Sequence, residues 1–364
     1  MTGLAYDAEC LDHDNGSMIL DSRARDWIAV PHSESRDRIA RTYQVIERSG
    51  RLAALSPIDC PPAGAGTVGL VHPPVLIGRI EDACARGDVT WVGPEARVGP
   101  TSWRSVLKAV GGAVAAVDAV MTRRVDNAYA LVRPPGHHAS STEPMGFCIF
   151  NNVAIACRHA QREHGVVRVA IVDWDVHHGN GTQAVFYDDP DVLFISLHQD
   201  GLYPPTTGTL AEVGHGRGAG FNVNIPLPAG SGDRGYALAF EQLVEPILRQ
   251  FRPDLILVSA GQDASAADPL GRMSVTVEGF REMASRVRSV AIDICGGRLV
   301  AVQEGGYSVD HMPYCTLAIV EALAGLEPAL AGDPLEMDVP SKLQESERSA
   351  VLAACGAHAS HWRV

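Results

Sequence analysis

Val169-Ala170-Ile171-Val172-Asp173-Trp174-Asp175-Val176-His177-His178-Gly179-Asn180-Gly181 is where the chain passes from an apolar run into a cluster of metal-binding side chains. The run begins at Val166 and is rich in β-branched residues. It is too short for a buried helix of ordinary length and reads as a strand covered on both faces. Asp173, Asp175, His177 and His178 then fall within six positions. Side chains alternate along an extended backbone, so Asp173, Asp175 and His177 share one side while Trp174 and Val176 anchor the other in the core. Asp175 and His177 thereby become two metal ligands at a strand end. Gly179 and Gly181 allow a tight turn and close backbone approach. A hydrogen-bonded polar cluster that merely closes the strand is the competing reading, and two acids with two histidines fit it less well.

The same theme recurs outward from this stretch. Further apolar strands are expected at 128–132, 192–197, 255–259 and 299–303, with helices at 152–163, 233–249 and 277–295 between them. Such alternation implies an α/β fold with a mainly parallel central sheet and helices on both faces. Upstream, helices are expected at 36–55, 74–86 and 103–123, with a Pro/Gly/Ala connector at 57–67. In the third helix Trp103, Val106, Leu107, Val110, Val114, Val117 and Met121 recur at helical spacing, and Gly111-Gly112 imply close packing on a neighbour. The strands lead into Arg133-Pro134-Pro135-Gly136-His137-His138, the Asp/His cluster, His198, Gly261-Gln262-Asp263 and Glu304-Gly305-Gly306-Tyr307. In open α/β sheets, ligands bind beyond the carboxyl ends of the strands. Five strands delivering reactive groups to one edge converge on one active site, and no domain break fits between 128 and 307. The expected organisation is a single domain over 1–364. Its motif-bearing core spans about 128–320, 1–60 forms N-terminal loops and a helix, and 330–364 is a C-terminal extension.

Composition bounds the function. With 46% hydrophobic and 20% charged residues, the chain reads as globular with a large core. A formal charge of −13 without any Lys/Arg cluster argues against nucleic acid as a partner; it suits a cationic substrate, although acidity that serves solubility alone is the simpler cause. No run reaches the length of a membrane span, so no membrane association is expected. Met1 to Leu20 carry Asp7, Glu9, Asp12 and Asp14, which is unlike a secretory signal. Eight scattered cysteines without a C-x-x-C pair read as reduced thiols of a cytoplasmic protein.

A catalytic zinc keeps three protein ligands and an open position. Asp263, at the mouth of a buried strand, is the best candidate for the third, although an Asp there could equally cap a following helix. The adjacent His137 and His138 fit a proton acceptor and a charge stabiliser, each needing an orienting partner. Asp173 and Asn180 are available for that. Tyr307 could offer a phenol to an oxyanion, or be a buried aromatic with a bonded hydroxyl.

Read together, these segments resemble the histone deacetylase superfamily, in particular its class II branch and the bacterial histone-deacetylase-like amidohydrolases. The motifs are RPPGHHA (133–139), GFCIFNN (146–152), DWDVHHGNGTQ (173–183), SAGQDASAADPLG (259–271) and QEGGYS (303–308). The resemblance implies an arginase/deacetylase-like fold and one Zn2+ per chain, held by Asp175, His177 and Asp263. It also implies His137 paired to Asp173, His138 as general base and acid, and Tyr307 as oxyanion donor. Gly146, Phe147 and Tyr203 match the acyl-lysine tunnel, with Leu270 near its mouth. A structural K+ is implied at Asp173, Asp175, His177, Ser196 and Leu197, largely through backbone carbonyls. The implied partners are acetylated lysine-like or small acetylated amine substrates, and bacterial relatives imply a homo-oligomer. Residues 204–220 would line either a tunnel rim or a subunit contact.

Some positions depart from the family pattern. Gln262 stands where Phe is common, and Asn180 is the class II choice where class I members carry Asp. Pro31-His32-Ser33-Glu34 with Arg38 matches the family's H-P-E-x-P-x-R segment imperfectly, and Glu95 is the candidate rim acid. The expected activity is zinc-dependent hydrolysis of N-acetyl amides. Its rivals are an acetylpolyamine or small-molecule amidohydrolase, in which an acidic gatekeeper can stand where Leu270 does, and a catalytically silent acyl-binding module. An arginase-type dimanganese site would need an Asp-x-His-x-Asp pattern that 173–178 lacks.

Overall fold

Eight strands form one sheet in which every pairing is parallel. They are β1 (Thr2–Ala5), β2 (Leu55–Ile58), β3 (Asn127–Ala130), β4 (Val169–Asp173), β5 (Val192–Gln199), β6 (Asn222–Leu227), β7 (Leu255–Ala260) and β8 (Leu299–Gln303). Their spatial order is β6-β5-β4-β7-β8-β3-β1-β2. The computed structural model describes residues 1–18, 27 and 30–364.

The β-branched runs are strands because both their faces are covered. In β4, Ala170 and Val172 enter one core while Val169 and Ile171 enter the other. In β7, Ile256 and Val258 divide from Leu255 and Leu257 in the same way. Helices α2 (Ser102–Met121) and α3 (Asn152–His164) cover one face. Helices α4 (Val277–Cys295) and α5 (Met312–Ala324) cover the other, packed on each other and joined by α1 (Arg36–Arg48). Local chemistry sets their ends. Asn151 caps α3 by accepting from Ala154 N, Thr276 caps α4 through Gly279 N, and both helices stop at a left-handed glycine, Gly165 and Gly296. Gly111 does mark a close approach, since a Cβ there would fall 1.7 Å from Pro61 O.

Several boundaries differ from expectation, each for a physical reason. The helix expected over 36–55 ends at Arg48. Gly50 then turns left-handed at φ 78°, a short 3-10 turn follows, and Leu55 opens β2. The helix expected over 233–249 runs on to Phe251 through a π-helical turn at Phe240–Val244. β6 was hidden by Asn222, Asn224 and Pro226, a composition that an edge strand tolerates. β1 is only four residues long, and α5 is buried nearly all round, so neither shows a period. Within the expected C-terminal extension, α6 (Glu345–His358) lies back on β6 and buries Val351 and Ala354. All eight cysteines are free thiols. Among the described residues no helix is long and apolar enough to cross a membrane.

Candidate active site

The loops after β3, β4, β5, β7 and β8 meet beyond one edge of the sheet, because parallel strands deliver all their carboxyl ends to the same side. Register fixes who meets whom. Asp173, the last residue of β4, lies opposite Ser196 of β5 and Ser259 of β7. The extended backbone stops there, so Asp175 and His177 project from the bend that follows rather than from the strand. Trp174 and Val176 still enter the core as the alternation requires.

The bend and the loop after β7 bring Asp175, His177 and Asp263 together, all buried. His177 Nδ1 lies 3.1 Å from Asp175 Oδ1 and 3.1 Å from Asp263 Oδ2. Ligands on a tetrahedron with bonds of about 2.0 Å stand about 3.3 Å apart, so the three donors fit a zinc-sized cation. The carboxylates are held from behind by backbone N–H groups. His177 N donates to Asp175 Oδ1 (3.0 Å), Gly305 N to Asp175 Oδ2 (2.8 Å) and Val176 N to Asp263 Oδ1 (2.8 Å). Gly261 and Gly305 leave room for them, since a Cβ at either would fall on a carboxylate oxygen. Burial disfavours charge on His177, yet Asp175 and Asp263 outweigh it and push its pKa up to about 10. A metal ion seated among these three groups would replace the proton on His177 and leave a neutral imidazole.

Beside this cluster the two histidines of the loop after β3 stack with ring centroids 4.0 Å apart. His137 Nδ1 is 3.0 Å from Asp173 Oδ2, and His138 Nδ1 is 2.7 Å from Asn180 Oδ1. Their environments drive them in opposite directions. Burial opposes charge on His137, but Asp175 and Asp173 hold its pKa well above the usual histidine value. Burial, with His137 and His177 nearby, holds His138 well below it. Since Asn180 Oδ1 only accepts, the neutral His138 carries its proton on Nδ1 and keeps the Nε2 lone pair free. Glu304, whose carboxyl burial pushes up to about 7, accepts from Gly136 N (2.6 Å) and His137 N (3.1 Å) and fixes the loop.

Tyr307 is clamped from both sides. Asp268 accepts from Tyr307 N (2.6 Å) and Ser308 N (3.2 Å). Arg38 donates to Gly306 O and Glu304 O, both at 2.5 Å, and lies 4.8 Å from the Tyr307 ring centroid. Arg38 is in turn bonded to buried Glu34 (2.9 Å), which also takes Arg133 (2.7 Å). Burial holds the Tyr307 phenol well above its ordinary pKa, so it stays a donor.

A cavity of about 360 Å³ leads down to these groups, lined by His138, Gly146, Phe147, His177, Tyr203, Leu270 and Tyr307. Met18, His32, Trp91, Glu95, Arg97 and Leu202 complete its wall. Gly146 (φ 53°), Phe147 (φ 67°) and Glu95 (φ 54°) are all left-handed. Gly146 N and Phe147 N donate to Pro94 O and Glu95 O, each at 3.0 Å. Those carbonyls belong to the turn of a hairpin formed by Thr90–Gly93 and Ala96–Val98. At Gly146 a Cβ would come within 2.5 Å of the His138 ring.

Not every expected residue joins the site. His178 turns away to Thr207 Oγ1 (2.9 Å) and Gln183 Oε1 (3.1 Å), and burial pushes its pKa down to about 2. No residue of 204–220 lines the cavity. That segment packs in part behind it, where Gly208 O accepts from His198 Nε2 (2.9 Å). Gln262 points into a buried amide network instead of towards Asp263. It donates to Ala260 O (2.7 Å) and Tyr129 (3.1 Å), and accepts from Gln303 Nε2 (2.6 Å). Ser196 and Leu197 are buried beside Asp173, and the Ser196 hydroxyl bonds His198 Nδ1 (2.9 Å). Glu304 and Asp268 were missed as positioning groups, although both sit inside motifs read from the sequence. A carboxylate directly after a fully buried strand, or in an otherwise small and apolar loop, is the signal that could have found them.

An α/β sheet whose carboxyl edge gathers a buried Asp-His-Asp cluster able to hold a metal ion beside a histidine pair has the groups a hydrolase needs. The histone deacetylase domain model matches residues 32–323. A histone deacetylase-like amidohydrolase from Pseudomonas aeruginosa is 44% identical over 338 residues, covering 92% of this chain and 88% of the relative. A probable deacetylase from Archaeoglobus fulgidus is 38% identical over 358 residues, covering 97% and 94%. The crystal structure of the HDA15 HD domain superposes with a TM-score of 0.88 at 32% identity, covering 99% of this chain and 95% of that one. The chain belongs to the histone deacetylase family and has the arginase/deacetylase fold. It is therefore a hydrolase acting on amides.

Proposed function

We propose that this chain is a zinc-dependent deacetylase that cleaves N-acetyl amides of lysine-like substrates. The observation that carries the reading is the stacked histidine pair, each ring oriented by its own partner, beside a three-donor cluster at the foot of a largely apolar cavity. Asp175, His177 and Asp263 would hold one Zn2+, which supplies Lewis-acid polarisation of the substrate carbonyl and the attacking water. His138 takes the water's proton on its free Nε2 and delivers one to the leaving amine, a role worth on the order of 10²–10⁴-fold. His137, charged and held by Asp173, stabilises the negative charge that develops. Tyr307 donates a hydrogen bond from its phenol to the oxyanion and keeps its proton. Phe147 and Tyr203 flank the acyl-lysine methylenes, with Gly146 allowing their close approach and Leu270 packing at the mouth. Glu95, on the cavity wall beside the entrance, is the candidate to grip the substrate backbone.

A structural K+ would sit under β4 and β5, using Asp173, Asp175, His177, Ser196 and Leu197. The Asp173–Ser196 register that sets those backbones side by side supports it. Unpaired thiols support a reducing, cytoplasmic setting. The catalytic machinery and the core around it fit one catalytic domain over the whole chain, and a homo-oligomer remains the assembly implied by the family resemblance.

Turnover of a fluorogenic acetyl-lysine amide, acetylspermidine and small acetamides, with and without chelator, tests this. Hydrolysis of the lysine amide that is lost on chelation and restored by zinc is expected. Binding without turnover of any substrate would establish an acyl-binding module instead. Preference for acetylspermidine would establish a polyamine deacetylase.

A further inference from the structure

At the far end of α3, Asp118 of α2 meets His159 and His164 of α3. Both imidazoles aim Nε2 at one carboxylate oxygen, Asp118 Oδ1, each at 2.7 Å. The ligand atoms lie within 4.8 Å of one another. The three side chains are half-buried, with the histidines 13% and 18% exposed and Asp118 40%.

The surroundings favour a cation there. Asp118 lies in the last turn of α2, and His164 is the last residue of α3. Two helix carboxyl ends, each carrying a partial negative charge in its unsatisfied carbonyls, thus converge on one spot. Asp118 adds a full negative charge, and its second oxygen accepts no hydrogen bond among the described residues. A cavity of about 470 Å³ opens beside the cluster between α3 and residues 64–70, and the charges of Arg162 and Glu163 on its wall offset each other in an ion pair at 2.8 Å. That leaves room for water to complete a coordination shell. Two imidazole nitrogens and a carboxylate oxygen are the donors that borderline transition metals choose over Mg2+ or Ca2+.

We propose that Asp118, His159 and His164 form a second metal site, specific for divalent transition ions such as Zn2+ or Ni2+, whose role is to tie the carboxyl ends of α2 and α3 together. The site is separate from the catalytic centre by the length of α3, about 20 Å for 13 residues. Its effect reaches that centre through stability alone. At the other end of the helix, Asn151 donates to Ala139 O and Asn152 to Pro134 O, both at 3.0 Å, bracing the loop that carries the histidine pair.

The test is zinc and nickel content after equilibration with micromolar metal and removal of free ion, on wild type and on H159Q/H164Q. Wild type is expected to carry one more ion per chain than the double variant, with unchanged turnover showing that the variant is folded. D118N, which keeps a hydrogen-bond acceptor but is a weak ligand, should also lose that ion. In a D263N background, Ni2+ should raise the melting temperature by a few degrees, and this rise should vanish when H159Q/H164Q is added. Equal metal content in wild type and H159Q/H164Q overturns the proposal, leaving the cluster a hydrogen-bonded tie between two helices. That comparison does not depend on which residues hold the catalytic ion.

Discussion

Gly305→Ala puts the ligand assignment under direct mechanical load. Gly305 is not left-handed, so alanine fits its backbone and only space is at issue. A Cβ built there lies 2.0 Å from Asp263 Oδ2 and 2.6 Å from Asp175 Oδ2, whereas ordinary contact begins at 3.4 Å. Both carboxylates would have to retreat, Asp263 by about 1 Å or more, against the N–H groups of Val176 and His177 that hold them. Metal sites tolerate ligand displacements of only about 0.2 Å. Loss of an outer-shell support alone typically costs about 10–100-fold in metal affinity, and displacing two ligands at once should exceed that. We expect the zinc Kd to rise at least 100-fold, about 2.7 kcal/mol, as measured by competition with a chromophoric chelator. Gly78→Ala, which meets nothing within 4 Å, is the control and should leave it unchanged. A Gly305→Ala protein with wild-type zinc affinity would show that Asp175 and Asp263 are not the ligands.

Three further outcomes are expected. Tyr307→Phe should keep its metal and lose roughly 10²–10³-fold in kcat; a loss confined to KM would mean the hydroxyl binds substrate without favouring the transition state. Burial would raise the Glu34 pKa, but Arg133 and Arg38 outweigh it and bring it down to about 2. Its carboxylate therefore stabilises the fold above the unfolded value near 4.5, and that contribution is lost as pH falls towards 2. Glu34→Gln should cost about 3 kcal/mol at pH 7 and progressively less in acid, so denaturation curves that stay equally separated at pH 7 and pH 2.5 would contradict it. Leu270→Glu should shift the kcat/KM ratio from acetyl-lysine amides towards acetylpolyamines, because a carboxylate attracts a second ammonium and penalises capped substrates; an unmoved ratio removes Leu270 from substrate selection.

What could be read from sequence was whatever a short window encodes. β4 and β7 carry unbroken apolar runs, so the sheet's middle and the loops beyond it were visible, and with them Asp175, His177, Asp263 and Tyr307. Both histidine partners were within reach because Asp173 and Asn180 sit in the same stretch as Asp175 and His177. The edges were not legible. β6 alternates asparagine with apolar residues and contains a proline, and β1 is short enough to pass for any four apolar residues. Long-range tethers were hidden for a different reason. Nothing near Arg38 reveals that it bonds carbonyls 266 and 268 positions away. The partnership of Asp118 with His159 and His164 likewise exists only once α2 and α3 lie side by side.

The hairpin holding Gly146 and Phe147 has a consequence for how this tunnel can diversify. It grips through the carbonyls of Pro94 and Glu95, and every amino acid supplies a carbonyl. Side chains at the hairpin tip can thus vary, within what the left-handed backbone at 95 admits, while the wall they hold stays put, at a cost of about 1–3 kcal/mol for left-handed Phe147. Entrance chemistry and cavity shape therefore depend on different atoms, side chains for one and backbone carbonyls for the other. A lineage can exchange the acid at 95 for a base or an apolar residue, and so change which molecules are drawn to the mouth, without rebuilding the passage that leads to the histidine pair.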